Sequence, residues 1–113
     1  MKLMIATSRS IENIDISRYI PEDTKLIISG GAKGIDKKAE QYADAHRISK
    51  LILRPEYKLY RRRAPLIRNE EMVNTADKVL VFWDGKSRGT KYTIDYASSI
   101  GKCIEVVMVN PDA

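Results

Sequence analysis

The stretch Leu26-Ile27-Ile28-Ser29-Gly30-Gly31-Ala32-Lys33-Gly34-Ile35-Asp36 passes from an apolar run through a glycine-rich turn into a more polar segment. A short, continuous apolar run is typical of a strand that is covered on both faces in a parallel sheet. After the turn, residues of one helical face recur at Ile35, Ala39, Tyr42, Ala43 and His46. The segment from about residue 34 to residue 47 is therefore predicted to be an amphipathic helix, and the stretch a strand-turn-helix unit.

Further apolar runs recur along the chain at residues 3–6, 51–53, 79–82 and 104–109. A helix is predicted from Pro65 to about Thr75, because proline fits the first helical position. Another follows Gly89-Thr90 and ends near Gly101, and a single helical turn is predicted at residues 17–20. Right-handed crossovers then predict one α/β domain over residues 1–113, with a doubly wound, five-stranded parallel sheet of order 3-2-1-4-5 and helices on both faces.

The composition is that of a globular protein, since 43% of the 113 residues are hydrophobic and 31% are charged. No apolar run approaches the ~20 residues needed to span a bilayer, and the apolar start of the chain is too short for a secretory signal. The sequence therefore predicts a cytoplasmic protein with no membrane partner. Cys103 is the single cysteine and lies among apolar residues, which predicts a buried, inert thiol. Neither a metal site nor a cofactor is predicted.

The net charge of +5 favours anionic partners. Basic residues concentrate in one segment, where only Glu56 offsets them: Arg54, Lys58, Arg61, Arg62, Arg63 and Arg68. Two interpretations of this cluster stay open, a solvated loop and an anion-binding surface.

The candidate ligand crevice follows from the fold, because open parallel sheets bind ligands beyond the carboxyl ends of their strands, where the strand order reverses. The loops at residues 7–10, 30–36, 54–63 and 83–90 meet this condition. Glycines at 30, 31 and 34 let a ligand approach the backbone, and the helix start that follows favours phosphate. The spacing matches neither the dinucleotide fingerprint nor the nucleoside triphosphatase loop, so neither NAD nor ATP chemistry is indicated. A tight connection without a ligand is the alternative.

Three further residues near these turns carry two interpretations each. Asp36 either caps the first helix or faces a ribose hydroxyl. Thr90 either caps the helix after the fourth strand or offers its hydroxyl to a phosphate beside free amides. Trp83 either stacks on a base or covers the edge of the sheet.

These motifs, taken in order, resemble a known superfamily. The residues concerned are Ser29 to Asp36, Ala39, Arg68-Asn69, Asp77 with the strand Val79 to Phe82, Gly89-Thr90 and Ala97. They resemble the Smf/DNA-processing-A and lonely-guy (SLOG) superfamily of Rossmann-like nucleotide-binding domains over about residues 25–107, and within it the short bacterial and phage members. The resemblance implies a domain that binds nucleotides, nucleotide-derived messengers or nucleic acid.

The lonely-guy branch implies a nucleotide hydrolase, a phosphoribohydrolase with a Gly-Gly-x-Gly-Thr-x-x-Glu motif. Here the matching stretch runs from Lys86 to Thr93, and Thr93 occupies the position of the catalytic glutamate. A threonine cannot supply the carboxylate that such a reaction needs. Asp84 is the nearest candidate carboxylate, and turn capping or ligand contact is its alternative role.

The DNA-processing branch implies binding of single-stranded DNA in a basic pocket at the same end of the sheet. The phosphate contacts there would come from Arg61, Arg62, Arg63 and Arg68, with Tyr57 and Tyr60 as stacking faces.

We therefore expect a sensor or carrier module for a phosphate-containing nucleotide, with a nucleotide hydrolase and a single-strand nucleic-acid binder as alternatives. Oligomerisation with copies of itself is also expected for so small a member of the superfamily, because a partner could complete a shallow crevice. In the favoured hypothesis the glycine turns hold phosphate, arginines neutralise it, hydroxyls contact the sugar and an aromatic ring covers the base. The ligand-binding residues are predicted to be Thr7, Ser8, Arg9, Gly30, Gly31, Lys33, Gly34, Asp36, Tyr57, Arg68, Asn69, Trp83, Asp84, Arg88, Gly89 and Thr90.

Overall fold

The computed structural model describes residues 1–12, 14–31 and 35–110, and of residues 35 and 36 the backbone alone. Its strands are β1 (Lys2–Thr7), β2 (Leu26–Ser29), β3 (Ser49–Ile52), β4 (Lys78–Trp83) and β5 (Cys103–Met108). They form one five-stranded parallel sheet in the order β3-β2-β1-β4-β5. The predicted fold class and strand order are confirmed, and every apolar run of the sequence overlaps a strand.

The helices are α1 (Ile35–Ala45), the short α2 (Tyr57–Tyr60), α3 (Ala64–Thr75) and α4 (Arg88–Ser99). Turns of 3₁₀-helix occur at Ser17–Tyr19 and Arg61–Arg63. Pro65 lies in the first turn of α3, where its missing N–H removes no helical hydrogen bond. The long helices and the turn near residue 17 lie where the sequence predicts them. The turns between Tyr57 and Arg63 lie in a segment predicted as a loop.

The sheet separates two parts of the hydrophobic core, because successive side chains of a strand point to opposite faces. Leu3 and Ile5 of β1 pack on the side of α1, whereas Met4 packs with residues of α3 and α4. The predicted placement of helices on both faces follows from these two clusters.

An irregular segment covers the part of the α1 face that the helix leaves open. Between β1 and β2, Ile11, Ile16 and Ile20 are buried in the same cluster as Leu3. Tyr19 packs edge-on against Phe82, with ring centroids 5.4 Å apart. The described residues of this crossover, which include the 3₁₀ turn at Ser17–Tyr19, therefore supply apolar cover to that face.

The expectation of a buried Cys103 is wrong, because the side chain is exposed. Cys103 begins β5, which lies at the edge of the sheet and has only one neighbouring strand. Apolar neighbours in sequence do not bury a residue on such an edge, and Val106 and Met108 of the same strand are also exposed. Among the helices of the described ranges, none is long and apolar enough to cross a membrane.

Candidate functional site

A cavity of about 410 Å³ lies at the carboxyl edge of the sheet. It is bounded by the end of β1, the loop that follows it, the turn after β2 and the first turns of α3 and α4. This position is the point where the strand order reverses between β1 and β4. Residues from segments far apart in sequence meet here because the strands are parallel and all end at this edge.

The turn after β2 is built around Arg68, which reaches it from α3. Its Nη1 donates hydrogen bonds to the carbonyl oxygens of Gly30 and Leu53, at 3.1 and 3.3 Å, and its Nε donates to Asn69 Oδ1 at 2.9 Å. Since Gly30 follows β2 and Leu53 follows β3, this side chain joins the ends of neighbouring strands. A Cβ atom on residue 30 would lie 2.7 Å from Nη1, so the absence of a side chain at Gly30 permits the contact.

Gly31 is required for a different reason. Its φ of +73° lies in the left-handed region, and a Cβ atom there would lie 2.8 Å from Ile52 Cγ2 and 2.9 Å from Arg54 Nη1. Its N–H donates to the hydroxyl of Ser29 at 3.2 Å. This glycine therefore serves the tight turn and its packing on β3, whereas Gly30 lines the cavity.

Asp84 organises the loop between β4 and α4. Its Oδ1 accepts the backbone N–H groups of Lys86 and Ser87, both at 2.8 Å, and its Oδ2 accepts the Ser10 hydroxyl at 2.7 Å. The Ser87 and Lys86 amides and the Ser10 hydroxyl stabilise the carboxylate and lower the pKa of Asp84 to about 2. Asp84 is therefore ionised at neutral pH and lines the cavity as an anion.

The first turn of α4 contributes a group of hydroxyls and amides. Thr90 Oγ1 lies 3.3 Å from the donor Ser8 Oγ and 3.1 Å from Ser87 Oγ. The hydroxyl of the fully buried Ser8 also accepts the N–H of Asp84 at 3.2 Å, which ties β1 to the loop. The possibility that Thr90 caps the helix is wrong, because α4 begins at Arg88 and Ser87 occupies the N-cap. The N–H groups of the first turn lack carbonyl partners within the helix, as at any helix start.

The two arginines of the cavity differ in how they are held. Arg68 is partly buried and hydrogen-bonded to the turns described above. Arg9 is exposed and makes no hydrogen bond or ion pair to any residue that the structure describes. Arg9 can therefore turn toward an anion in the cavity without breaking a contact within the described structure.

Thr7, the last residue of β1, also lines the cavity. Its Oγ1 is buried, and within the described ranges it has no hydrogen-bond partner. A buried hydroxyl without a partner is uncommon and costs stability, which makes this strand end a place where a ligand could supply the missing bond.

Only part of the predicted site comes together in the cavity. The predicted residues that line it are Thr7, Arg9, Gly30, Arg68, Asn69, Asp84, Gly89 and Thr90. Ser8 does not line the cavity but hydrogen-bonds Thr90 and Asp84, which do. Gly31 lies in the adjacent turn after β2. Lys33, Gly34 and the side chain of Asp36 lie outside the described residues.

Tyr57, Trp83 and Arg88 do not line the cavity. Trp83 packs beside the core cluster of α3 and α4, and its indole N–H donates to the Ser87 carbonyl at 3.1 Å. Tyr57 is 57% exposed on the segment that follows β3. The arginines 61–63 are likewise exposed and outside the cavity lining.

Sequence reasoning missed several lining residues, among them Ser10, Pro65, Met72 and Ser87. Ser10 and Ser87 lie in loops that the sequence predicts to border the crevice, and their hydroxyl groups are the signal that could have indicated them. Met72 offers no such signal, because an apolar residue of a helix is expected in the core.

The cavity has few groups suited to acid–base chemistry. Asp84 is the only carboxylate among its described lining residues, and no imidazole or thiol lies there. Thr93, which lines the inner wall, is buried and donates its hydroxyl to the Gly89 carbonyl at 3.2 Å. Within the described ranges, no group of three or more His, Cys, Asp or Glu side chains could hold a metal ion.

Comparison with known proteins adds no family assignment. No family model matches the chain, and no curated protein or solved structure matches it. The strand order is Rossmann-like, and this is the part of the superfamily resemblance that the structure supports.

Proposed function

We propose that the cavity binds a phosphate-bearing nucleotide or nucleotide derivative, and that the protein senses or carries this ligand. The observation that carries the proposal is the meeting of Gly89 and Thr90, in the first turn of α4, with Arg9 and Arg68 around one cavity. Helix-start amides, a hydroxyl and guanidinium groups are the donors that a phosphate prefers. A phosphate accepts hydrogen bonds only, so a wall rich in donors suits it.

Binding is favoured over catalysis by the state of Asp84. A carboxylate whose pKa is about 2 carries no proton to donate near neutral pH and is a weak general base. Glycosidic hydrolysis commonly uses a pair of carboxyl groups, and Asp84 has no second carboxylate among the described lining residues. Thr93, at the position of the glutamate in the lonely-guy motif, uses its hydroxyl within the helix.

Membership of the SLOG superfamily is part of this proposal. It rests on the ordered motifs of the sequence together with the strand order 3-2-1-4-5. In this hypothesis the turn after β2 and the first turn of α4 form the two walls of one nucleotide site.

The direct test is a thermal-shift and calorimetric screen of AMP, ADP, ADP-ribose and a cyclic dinucleotide, with adenosine as the ligand that lacks phosphate. A ligand at about 100 times its Kd should stabilise the protein by about 2.7 kcal/mol. We expect a phosphate-bearing compound to raise Tm and adenosine to leave it unchanged. No shift with any of the phosphate-bearing compounds would contradict the proposal.

Two charge-neutralising variants locate the site. Arg9→Gln should weaken binding by about tenfold while leaving the free energy of unfolding within about 0.5 kcal/mol, because Arg9 is exposed. Lys25→Gln makes the same change of charge beside the amino end of β2, at the opposite edge of the sheet. Equal effects of the two substitutions would show that net charge, and not the cavity, attracts the ligand.

A single-strand nucleic-acid binder is the second candidate, and it is favoured by one surface. The three exposed arginines of this surface are Arg61, Arg62 and Arg63. Tyr57, at the start of the short helix α2 that precedes them, is 57% exposed. Cationic groups beside an exposed aromatic ring suit phosphates and stacked bases.

Fluorescence anisotropy with a labelled thymidine oligonucleotide separates the two candidates. Nucleic-acid binding should fall steeply between about 50 and 200 mM salt and be lost when Arg61, Arg62 and Arg63 are all changed to Gln. Glutamine at the exposed residues Lys2, Arg18 and Lys25 removes the same charge elsewhere and is the matched control. Equal loss in both triple variants would argue against a specific surface.

A further inference from the structure

We propose that the cavity selects ribose over 2′-deoxyribose, with the Asp84 carboxylate accepting the sugar's hydroxyl protons. This inference rests on the proposed nucleotide site and names the ligand class that the site prefers.

The starting observation is the hydrogen-bonding capacity of Asp84. Its carboxylate accepts bonds from Lys86 N–H, Ser87 N–H and the Ser10 hydroxyl. An ionised carboxylate offers about four acceptor positions, so the protein's own bonds leave acceptor capacity unused. Because these bonds fix both oxygens, the remaining capacity has a defined direction before a ligand arrives.

The second observation is that the other described polar groups of the cavity are either donors only or neutral acceptors, which are weaker than a carboxylate. Arg9 and Arg68 are donors only. The hydroxyls of Ser87 and Thr90 are already in contact with each other, and Ser10 donates to Asp84. A ribose hydroxyl that must donate its proton therefore finds its strongest acceptor in Asp84.

The negative charge of Asp84 also restricts which part of a ligand can lie beside it. An ionised carboxylate repels phosphate, so its presence in a cavity for a phosphate-bearing ligand is unfavourable unless a donor of that ligand faces it. A nucleotide carries both kinds of group, an anionic phosphate and a sugar with hydroxyl donors. The phosphate at the first turn of α4 and the sugar at Asp84 satisfy both requirements.

Thr7 places a hydroxyl group, which can bond a sugar, in the cavity at the end of β1. Thr7 lies next to Phe82 of β4 in the sheet, and the N–H of Ser8 donates to the Phe82 carbonyl at 2.9 Å. Asp84 follows β4 by one residue, and its N–H donates to the Ser8 hydroxyl. Thr7 therefore directly precedes Ser8, whose hydroxyl accepts the Asp84 N–H. The buried Thr7 hydroxyl has no partner among the described residues and could bond a sugar hydroxyl at the same strand end.

The test measures the binding of AMP, ADP and ADP-ribose to the wild-type protein by isothermal titration calorimetry. It then compares AMP with 2′-deoxy-AMP and ADP with 2′-deoxy-ADP. Losing a hydrogen bond to a charged acceptor should weaken binding of the 2′-deoxy form about tenfold or more. Equal affinity of a ribonucleotide and its 2′-deoxy form would overturn the inference and leave the proposed function standing. No binding of any of these probes would overturn the inference, and if the cyclic dinucleotide of the first screen also failed to bind, the proposed function would be overturned as well.

The Asp84→Asn variant assigns the effect to this carboxylate. Asparagine can keep the bonds from Lys86 and Ser87 through its Oδ1 and can donate to the Ser10 hydroxyl through its amide. It cannot accept a sugar proton at that second position. We expect the ribonucleotide and its 2′-deoxy form to bind this variant with equal affinity. The 2′-deoxy form should bind no more weakly than it binds the wild type, because the variant also removes the carboxylate's repulsion of the phosphate.

Asp95→Asn is the control substitution, because it makes the same change at an exposed carboxylate of α4 that does not line the cavity. It should leave the ratio of ribonucleotide to deoxynucleotide affinity as in the wild type. A ratio that stays high in Asp84→Asn would assign the selection to another group and overturn the role given to Asp84. The ligand comparison on the wild type stands even where a variant fails to fold.

Discussion

Arg68 Nη1 lies 3.1 Å from the Gly30 carbonyl oxygen, and a Cβ atom on residue 30 would lie 2.7 Å from that same nitrogen. The two residues are therefore matched: the arginine closes the turn, and the glycine leaves room for it. Because Nη1 also bonds the Leu53 carbonyl, this contact joins the carboxyl ends of β2 and β3 beside the cavity.

A double-mutant cycle tests this relationship. Arg68→Ala should lower the free energy of unfolding by about 2–3 kcal/mol, since it removes charged hydrogen bonds to partly buried carbonyls. Gly30→Ala should cost about 1–2 kcal/mol by displacing the guanidinium. In the double variant Gly30→Ala should cost less than it does alone, with a coupling of at least 0.5 kcal/mol, as roughly expected for residues in contact. Additive losses in urea denaturation would show that the two positions act separately.

Gly89→Ala should change stability and binding in opposite directions. A Cβ atom at residue 89 meets no atom within 4 Å, so alanine fits the first turn of α4 and should stabilise the protein by about 0.5–1 kcal/mol. The added methyl group should weaken nucleotide binding, because it hinders the approach of the phosphate to the backbone there. Thermal unfolding and calorimetry on the same samples measure both effects. Ser98→Ala, at an exposed site later in α4, should leave binding unchanged.

Acid should remove a contribution that Asp84 makes to stability. Its pKa is about 2 in the folded protein and about 3.9 in an unfolded chain, so the folded state favours the charged form. The stabilisation is full above about pH 5 and is lost as the pH falls toward about 2. Asp84→Asn should therefore be less stable than the wild type at pH 7, and the difference should shrink on acidification. Urea denaturation at a series of pH values measures this convergence.

A matched substitution for the acid test is Asp95→Asn, which removes a carboxylate from an exposed ion pair with Lys91 on α4. Exposed pairs of this kind contribute little to stability. A pH-independent difference between wild type and Asp84→Asn would contradict the stabilisation of the carboxylate by its loop.

Arg47→Gly should stabilise the protein by about 1 kcal/mol. Helices α1 and α4 end with the same hydrogen bonds: Arg47 N to Asp44 O with Ile48 N to Ala43 O, and Gly101 N to Ser98 O with Lys102 N to Ala97 O. The left-handed residue of this motif is glycine in α4, with a φ of +72°, but arginine in α1, with a φ of +56°. Glycine adopts this conformation without the strain that a Cβ atom brings.

The reverse change, Gly101→Ala, is the natural comparison and should destabilise the protein by a similar amount. Thermal unfolding of the two variants against the wild type measures both shifts. Two shifts of the same sign would contradict the account, because the motif is the same at both helix ends.

Much of this fold could be predicted from the sequence, because its determinants are local. Continuous apolar runs mark strands covered on both faces, and the residues between them carry helical spacing. Right-handed crossovers then leave few strand orders, and 3-2-1-4-5 is the one found. Pro65 and Gly101 fixed two helix ends for the same reason, since each acts on its own backbone.

The site was less predictable, because its key contacts join distant segments. The sequence predicts that Arg68 neutralises a phosphate, and the residues beside it in the sequence do not indicate that it bonds the carbonyls of residues 30 and 53. Ser10 and Asp84 are likewise 74 positions apart. The exposure of Cys103 depends on β5 being an edge strand, a property of the assembled sheet that its apolar sequence does not encode.

The anchoring of Arg68 has a consequence for ligand recognition. A flexible arginine loses up to about 2 kcal/mol of rotamer entropy when a ligand immobilises it. Here the strand-end carbonyls already hold the guanidinium during folding, so an arriving anion meets an ordered positive charge. Arg9, exposed and without partners in the described structure, would be ordered only on binding. The cavity thus combines a preorganised cation with an adaptable one, which sets where an anion rests and still permits ligands of different length.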